Sequence, residues 1–259
     1  MADKTIKDPY RFKEVTQKPD EADLRVELQE YFKKSPGTEY EKLFNFPKYI
    51  QRAILTRFLS RTDLFRQVLD IQGSVVECGV LWGGSLFTWA KASSIFEPLN
   101  SQRKIIGFDT FTGFTKLSEK DKTGTATESH AGGFDFKEMD IINDLKDCVK
   151  VFDNDRQLGH IPKVEIVKGD VKDTIPQYLK ENPHTLVSLL HLDIDVYEPT
   201  KLALKHFVPR MPKGSIIVFD ELNAKLWPGE TIALLEEVGI RNLSIKRFAW
   251  DTYISYAVM

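Results

Sequence analysis

The sequence predicts an α/β fold: an open, doubly wound sheet, mostly parallel with an antiparallel C-terminal strand, and helices on both faces. Three observations predict it. The apolar run Val75–Cys78 leads into glycines at 79, 83 and 84 and then into an apolar helical pattern, the strand–turn–helix of a first βα unit. Four more short apolar runs follow, each with a helical pattern after it. The last two runs, Leu243–Phe248 and Tyr253–Val258, are joined too briefly to be parallel.

Taken in order, Met1–Pro19 is polar and charged and reads as an arm. Asp20 is placed to cap a helix in which Leu24, Leu28, Tyr31 and Phe32 share a face, ended by Ser35-Pro36-Gly37. Phe46–Leu69 is helical again, with Thr62 or Asp63 able to start a second piece. These helices cover a sheet edge, close over a ligand or mediate self-association. The expected division is 1–70 as arm and covering helices and 71–259 as the α/β domain.

Strand one is followed by a helix from Ser85 to about Phe96 and by strand two, Lys104–Phe108. Thr110–Gly133 is long, irregular and rich in Gly, Ser, Thr and Lys, as expected of a lid over about 110–135. His130 within it reads as a solvated loop residue. A helix follows over Phe136–Phe152, burying Met139, Ile142, Leu145, Val149 and Phe152. Strand three is Val164–Val167, with a helix over Thr174–Glu181. Strand four, Leu186–Leu192, is apolar apart from Ser188 and His191, which suits burial on both faces. The helices Pro199–Phe207 and Glu230–Val238 flank strand five, Ser215–Phe219.

The chain has 259 residues, 42% of them hydrophobic and 29% charged, which suits one globular domain with a sizeable core. A net charge of −2 gives no electrostatic reason to expect nucleic acid or an acidic membrane as partner. Cys78 and Cys148 lie far apart in apolar patterns and are expected as buried thiols in a reducing compartment. No apolar run approaches a membrane span, and the charged N-terminus lacks a signal-peptide core, so a cytoplasmic location is expected.

The chemistry is concentrated at the carboxyl ends of the strands, where open α/β sheets bind their ligands. Glycines after strand one allow close backbone approach, and the helix start behind them offers free N–H groups to an anion. The spacing is not the dinucleotide G-x-G-x-x-G. With Glu77 two residues before Gly79, the stretch resembles the cofactor loop of class I S-adenosylmethionine (SAM) methyltransferases. Acidic residues end all five strands: Glu77, Asp109, Asp170, Asp193 with Asp195, and Asp220 with Glu221. Carboxylates on one rim repel each other unless a cation or ligand offsets them. A carboxylate at Asp109 can accept both hydroxyls of a ribose. In an extended segment Asp193 and Asp195 point to one side. Oxygen ligands without cysteine suit Mg²⁺ or a related divalent cation.

At these residues the sequence resembles the macrocin O-methyltransferase family of SAM-dependent sugar O-methyltransferases. The resemblance runs from about Phe46 to the C-terminus. It rests on Leu64-Phe65, Glu77-Cys78-Gly79-Val80 with Gly83-Gly84-Ser85, Asp109-Thr110-Phe111-Thr112-Gly113-Phe114, Lys168-Gly169-Asp170, Leu192-Asp193-Ile194-Asp195-Val196-Tyr197 and Phe219-Asp220-Glu221. It implies a class I methyltransferase (Rossmann-like) sheet. It implies SAM contacts from Glu77, Gly79 and Ser85 to the methionine part, from Asp109 to the ribose and from Asp170 to the adenine. It further implies Mg²⁺ held by Asp193, Asp220 and Glu221, with Asp195 as general base and a sugar-containing small molecule as acceptor. Two departures stand out: the family often has Asp-Asp where this chain has Asp220-Glu221, and Arg where it has Trp82. Other readings of the same residues are a catechol or phenol O-methyltransferase, a nicotinamide-dependent oxidoreductase and a non-catalytic SAM-binding protein. A homo-oligomer through the N-terminal helices is also open.

Overall fold

A computed structural model describes residues 21–259 except 125, 127, 128, 137, 138 and 252; the arm Met1–Pro19 and the capping Asp20 lie outside the described residues. The chain divides into two compact units, Met1–Thr56 and Arg57–Met259. The division falls before the expected residue 70. Leu64, Phe65 and Val68 are fully buried in the core of the second unit, and this holds the end of the third helix there.

In the first unit, α1 (Glu21–Lys34) is followed by α2 (Glu39–Phe44) and a 3-10 turn at Phe46–Lys48. Thr38 and Glu41 form a reciprocal cap at the start of α2. The ring of Tyr49 packs between Tyr31 and Phe32. Leu24 and Tyr31, expected on a shared face, are exposed, as are Tyr40, Leu43 and Phe44.

α3 (Arg52–Gln67) is one continuous helix, without the restart expected at Thr62 or Asp63. The second unit is a seven-stranded sheet in the order β3-β2-β1-β4-β5-β7-β6. Its strands are β1 (Ser74–Cys78), β2 (Ile105–Asp109), β3 (Val164–Lys168), β4 (Val187–Leu192), β5 (Ile216–Phe219), β6 (Ser244–Arg247) and β7 (Ser255–Val258). The first five are parallel; β7 runs antiparallel to β5 and to β6, as expected of the C-terminal strands.

Strand alternation builds two cores. Val75, Ile105, Leu189 and Ile216 face one layer with α4 (Gly84–Phe96) and α5 (Ile141–Asp155). Val76, Ile106, Leu190 and Ile217 face the other, with α6 (Val171–Glu181), α7 (Tyr197–Phe207) and α8 (Pro228–Glu237). The fold is therefore the class I methyltransferase arrangement expected, with helices on both faces. α5 starts five residues later than its periodicity predicts, because Asp140 caps it by accepting from Asn143 N–H. Met139 then precedes the helix and is exposed. Of the two thiols, only Cys78 is buried, and burial pushes it up; Cys148 is exposed on α5. Among the described residues no helix is long and apolar enough to cross a membrane.

Candidate active site at the carboxyl ends of the central strands

The sheet order reverses between β1 and β4, so the crevice at their carboxyl ends is the natural ligand site. The loop from Gly79 to Gly83 occupies one side of it. Gly79, Leu81 and Gly83 all have positive φ, +92°, +49° and +79°. A Cβ on Gly79 would stand 1.8 Å from the carbonyl oxygen of Asp193, so only glycine lets the ends of β1 and β4 pass each other here. A Cβ on Gly84 would meet nothing within 4 Å, and no side chain caps the start of α4. An uncapped helix N-terminus beside open space suits an anionic group such as an amino-acid carboxylate.

The expected cofactor residues are positioned as follows. Asp109 closes the glycine loop: Oδ2 accepts from the N–H groups of Val80 (2.7 Å) and Leu81 (2.9 Å), and Oδ1 from that of Phe111 (2.7 Å). These bonds hold the left-handed backbone of Leu81. Glu77 is fully buried beneath the loop. Its Oε1 accepts from Ser85 Oγ (2.7 Å) and its Oε2 from Trp89 Nε1 (2.8 Å), with His191 Nδ1 3.3 Å away. Glu77 thus reaches the loop through Ser85. Asp170 caps α6 through Lys172 N–H and accepts from Thr115 Oγ1 (2.9 Å), which ties the lid to the end of β3.

The segment expected as a lid contains, among its described residues, a 3-10 turn at Glu119–Asp121. Phe114 and Gly132–Gly133 bond back to back, and Phe114, Phe134 and Trp227 form an aromatic cluster. Buried Asp121 anchors it by accepting from Ser118 N–H and from Tyr197 N–H at the start of α7, both at 2.8 Å. His130 is exposed, with Nδ1 3.0 Å from the carbonyl of Ala131. Trp82 is exposed, its ring 5.1 Å from that of Phe136.

The second half of the site lies at the ends of β4 and β5. Asp220 and Glu221 are buried, and Asp193 is partly buried; none of them caps a helix. Strand alternation, carried past each strand end, turns His191, Asp193 and Asp220 to the α3 side of the sheet. There ligand atoms of all three lie within 4.8 Å of one another. Arg57 pairs with Asp220 at 3.1 Å, and Arg61 lies 3.8 Å from Asp193 and 3.7 Å from Asp220. Burial and the neighbouring Asp220 push Asp193 up to about 6. Burial acts on Asp220 too, but Arg57 and Arg61 outweigh it and hold its carboxyl below the usual range.

Glu221, expected beside Asp193 and Asp220, lies outside that group of three. Its backbone N–H donates to Glu230 Oε1 on α8 (3.1 Å). Burial and Asp220 push Glu221 up to about 11, and burial pushes Glu230 well above the usual carboxylate range. The expectation that Asp193 and Asp195 share an extended segment is corrected. Val196 N–H donates to Ile194 C=O at 2.5 Å, a γ-turn about Asp195, whose φ is +58°. Such backbone strain persists only where the surroundings hold it, and it concentrates at reacting centres.

Four residues of this site escaped sequence reasoning, Arg57 and Arg61 of α3 among them. His191 read only as an interruption of strand four, although its spacing before Asp193 and its register with Glu77 were available signals. Glu230 looked like an ordinary acid in the first turn of a helix, and nothing local marked it as buried. The donor set of His191, Asp193 and Asp220 fits a divalent cation, and Asp220 Oδ1 and His191 Nε2 in it are buried polar atoms without a hydrogen-bond partner.

Comparison with known proteins gives the family and the fold. A family model described as Macrocin-O-methyltransferase (TylF) matches residues 57–234. A crystal structure of CalS11, a calicheamicin methyltransferase, is similar at 35% identity with a TM-score of 0.89, covering 94% of each chain. The apo structure of CalS11, described as a TDP-rhamnose 3'-O-methyltransferase of calicheamicin biosynthesis, is similar at 32% identity and a TM-score of 0.81, covering 94% of this chain and 96% of that one. The O-methyltransferase NovP shares the fold at 20% identity and a TM-score of 0.54, over 78% of each chain. Among curated proteins no sequence match is found.

Proposed function

The chain belongs to the macrocin O-methyltransferase family and is a SAM-dependent O-methyltransferase, and on that premise we propose that its acceptor is a sugar hydroxyl and that a divalent cation assists the transfer. Membership of this family sets aside the nicotinamide-dependent and non-catalytic readings. The acceptor class is supported by CalS11, whose description names a TDP-rhamnose as its substrate. The observation that carries the proposal is the buried acidic group at the ends of β4 and β5, with its unpartnered oxygens.

In this reading the methyl donor is a substrate held on the β1 side of the crevice. The start of α4, with Gly79 and Ser85, takes its methionine part; Asp109 takes the ribose and Asp170 the adenine. Glu77 acts on that end through its bond to Ser85. The reaction is an in-line displacement. An acceptor oxygen attacks the sulfonium methyl carbon, the C–O bond forms as the C–S bond breaks, and S-adenosylhomocysteine leaves. The acceptor proton passes to Asp195, which the γ-turn holds away from the strand direction. Asp193 and Asp220 would hold the cation, with Glu221 beside them. Bound there, it would offset the crowded carboxylates and draw electron density from the acceptor oxygen. Holding both reactants in line supplies much of the acceleration.

The test is transfer of labelled methyl from SAM to a panel of nucleotide deoxysugars, free glycosides and catechols, with Mg²⁺ and with a chelator. Labelling of a sugar that the chelator abolishes is the expected result. Labelling of a sugar that survives chelation removes the cation from the mechanism. Labelling confined to catechols replaces the sugar by a phenol.

A further inference from the structure

We infer that the acceptor sugar is seated on the indole face of Trp250, in the turn between β6 and β7, with the guanidinium of Arg57 on α3 bonding its hydroxyls. The inference rests on the sugar acceptor proposed above and adds to it the two side chains that hold that sugar.

Along α3, Arg57, Ser60 and Arg61 fall three and four residues apart and so share one face. Arg57 pairs with Asp220 at 3.1 Å, and Arg61 lies 3.8 Å from Asp193 and 3.7 Å from Asp220. Between the two arginines, Ser60 Oγ accepts from Trp250 Nε1 at 3.1 Å. The guanidinium carbon of Arg57 stands 6.0 Å from the centroid of the Tyr253 ring. One helix face therefore joins the carboxylates at the ends of β4 and β5 to the β6–β7 turn. A sugar with one hydroxyl at those carboxylates is beside Arg57, and the turn is the next surface it meets.

Single exposed aromatic side chains are ordinary on a protein surface. Trp250 differs in being half-exposed and yet fixed. Its N–H is held by Ser60, and its ring lies against that of Phe248, with centroids 5.0 Å apart and planes at 32°. Phe248 and Ile254 are buried in the core on either side of the turn. Buried Asp251 sets the turn by accepting from the N–H groups of Tyr253 (3.1 Å) and Ile254 (3.3 Å). An indole clamped in this way loses little freedom when a ligand covers it. The C–H face of a pyranose is apolar and its hydroxyls lie around the rim, so an aromatic plane with a donor fork beside it matches both parts. Arg57 supplies the fork: its side chain is 35% exposed, against 3% for that of Asp220, so the arginine is the open partner of the pair.

The experiment is steady-state methylation by the full chain, with SAM and Mg²⁺, of TDP-rhamnose, the substrate in the description of CalS11, or of the glycoside that the panel above labels in its place. Trp250→Ala is expected to raise the KM for that sugar about tenfold, with kcat and the SAM Kd near wild type and with Trp250→Phe restoring most of the loss. Arg57→Lys keeps the charge beside Asp220 but not the fork, and should raise the same KM. A KM unchanged in Trp250→Ala overturns the inference and leaves the sugar acceptor in place. So does a KM that rises only together with the SAM Kd, which marks a general loosening of the fold. Because Trp250 belongs to the turn, its alanine variant could fail to fold. The wild-type chain labelled with 5-fluorotryptophan then decides. The ¹⁹F signal of Trp250, assigned by its loss in Trp250→Phe, must shift as the sugar is titrated in, and a signal that stays put while the sugar binds overturns the inference. A wild type that labels no sugar at all removes the acceptor class and the inference with it.

Discussion

At the scale of single residues, the site works by placing charge where the backbone allows little freedom. Asp193 sits between Arg61 and Asp220 at the end of β4. Asp193→Ala is expected to abolish methyl transfer while leaving SAM affinity near wild type, because the residues proposed to hold SAM lie at the ends of β1, β2 and β3. Retained turnover in the presence of SAM and Mg²⁺ is the outcome that removes Asp193 from the reaction. Asp109 holds three backbone N–H groups around the glycine loop. Hydrogen bonds to a charged group are worth about 1.5–3 kcal/mol each, so Asp109→Ala is expected to weaken SAM binding about tenfold or more, read by calorimetric titration. Gly79 carries the tightest steric demand: φ is +92° and a Cβ would overlap the Asp193 carbonyl. Gly79→Ala should destabilise the fold by roughly 2–5 kcal/mol, the sum of left-handed strain and overpacking, measured by denaturant unfolding.

Among elements, the segment expected as a lid shows how a long, largely irregular stretch is held by side-chain bonds. Its foot is Asp121, whose two oxygens serve Ser118 on the lid itself and Tyr197 at the start of α7. Gly229 at the start of α8 makes room for that carboxylate, since a Cβ there would stand 2.2 Å from Asp121 Oδ1. Asp121→Ala leaves the Tyr197 N–H buried and unpaired, at a cost of about 1–3 kcal/mol. Amide exchange of Ser118–Gly124 should then accelerate while that of β1 and β4 is unchanged. Equal protection in both proteins would mean that the aromatic cluster of Phe114, Phe134 and Trp227, not Asp121, carries the lid.

Across the whole molecule, chemistry and support sit at opposite ends of the sheet. The carboxyl ends gather acids with Arg57 and Arg61 against them; at the amino ends Arg103 donates to the carbonyls of Val68, Ile71 and Gly73 and Lys163 to that of Asn100. Burial lowers Lys163 to about 8 from its ordinary 10.5; Glu97 opposes the shift, while Arg103, Arg156 and Lys104 add to it. A folded state that binds this proton less tightly than the unfolded chain gains stability as pH rises between those two values. The contribution is absent below about 8 and complete above 10.5. Lys163→Met should therefore flatten the stability profile of the wild type over that window, as measured by urea unfolding at stepped pH. Parallel profiles would show that the lysine charge is already compensated in the fold.

The sequence by itself determined the parallel α/β order, the antiparallel ending, the glycine loop and the acids at the ends of the strands. These are written in local periodicity and in residue spacing, which do not depend on distant partners. Element ends were less legible: α5 begins at its cap Asp140 rather than where its apolar pattern begins. The tertiary structure alone decided which acids meet. His191 joins Asp193 and Asp220 because neighbouring strands bring equivalent registers to one face. Burial of Glu230 and the left-handed backbone at Asp195 likewise appear only in the folded chain. Long-range packing of this kind has no signature in a single stretch of chain, because each partner reads locally as an ordinary strand, turn or helix residue.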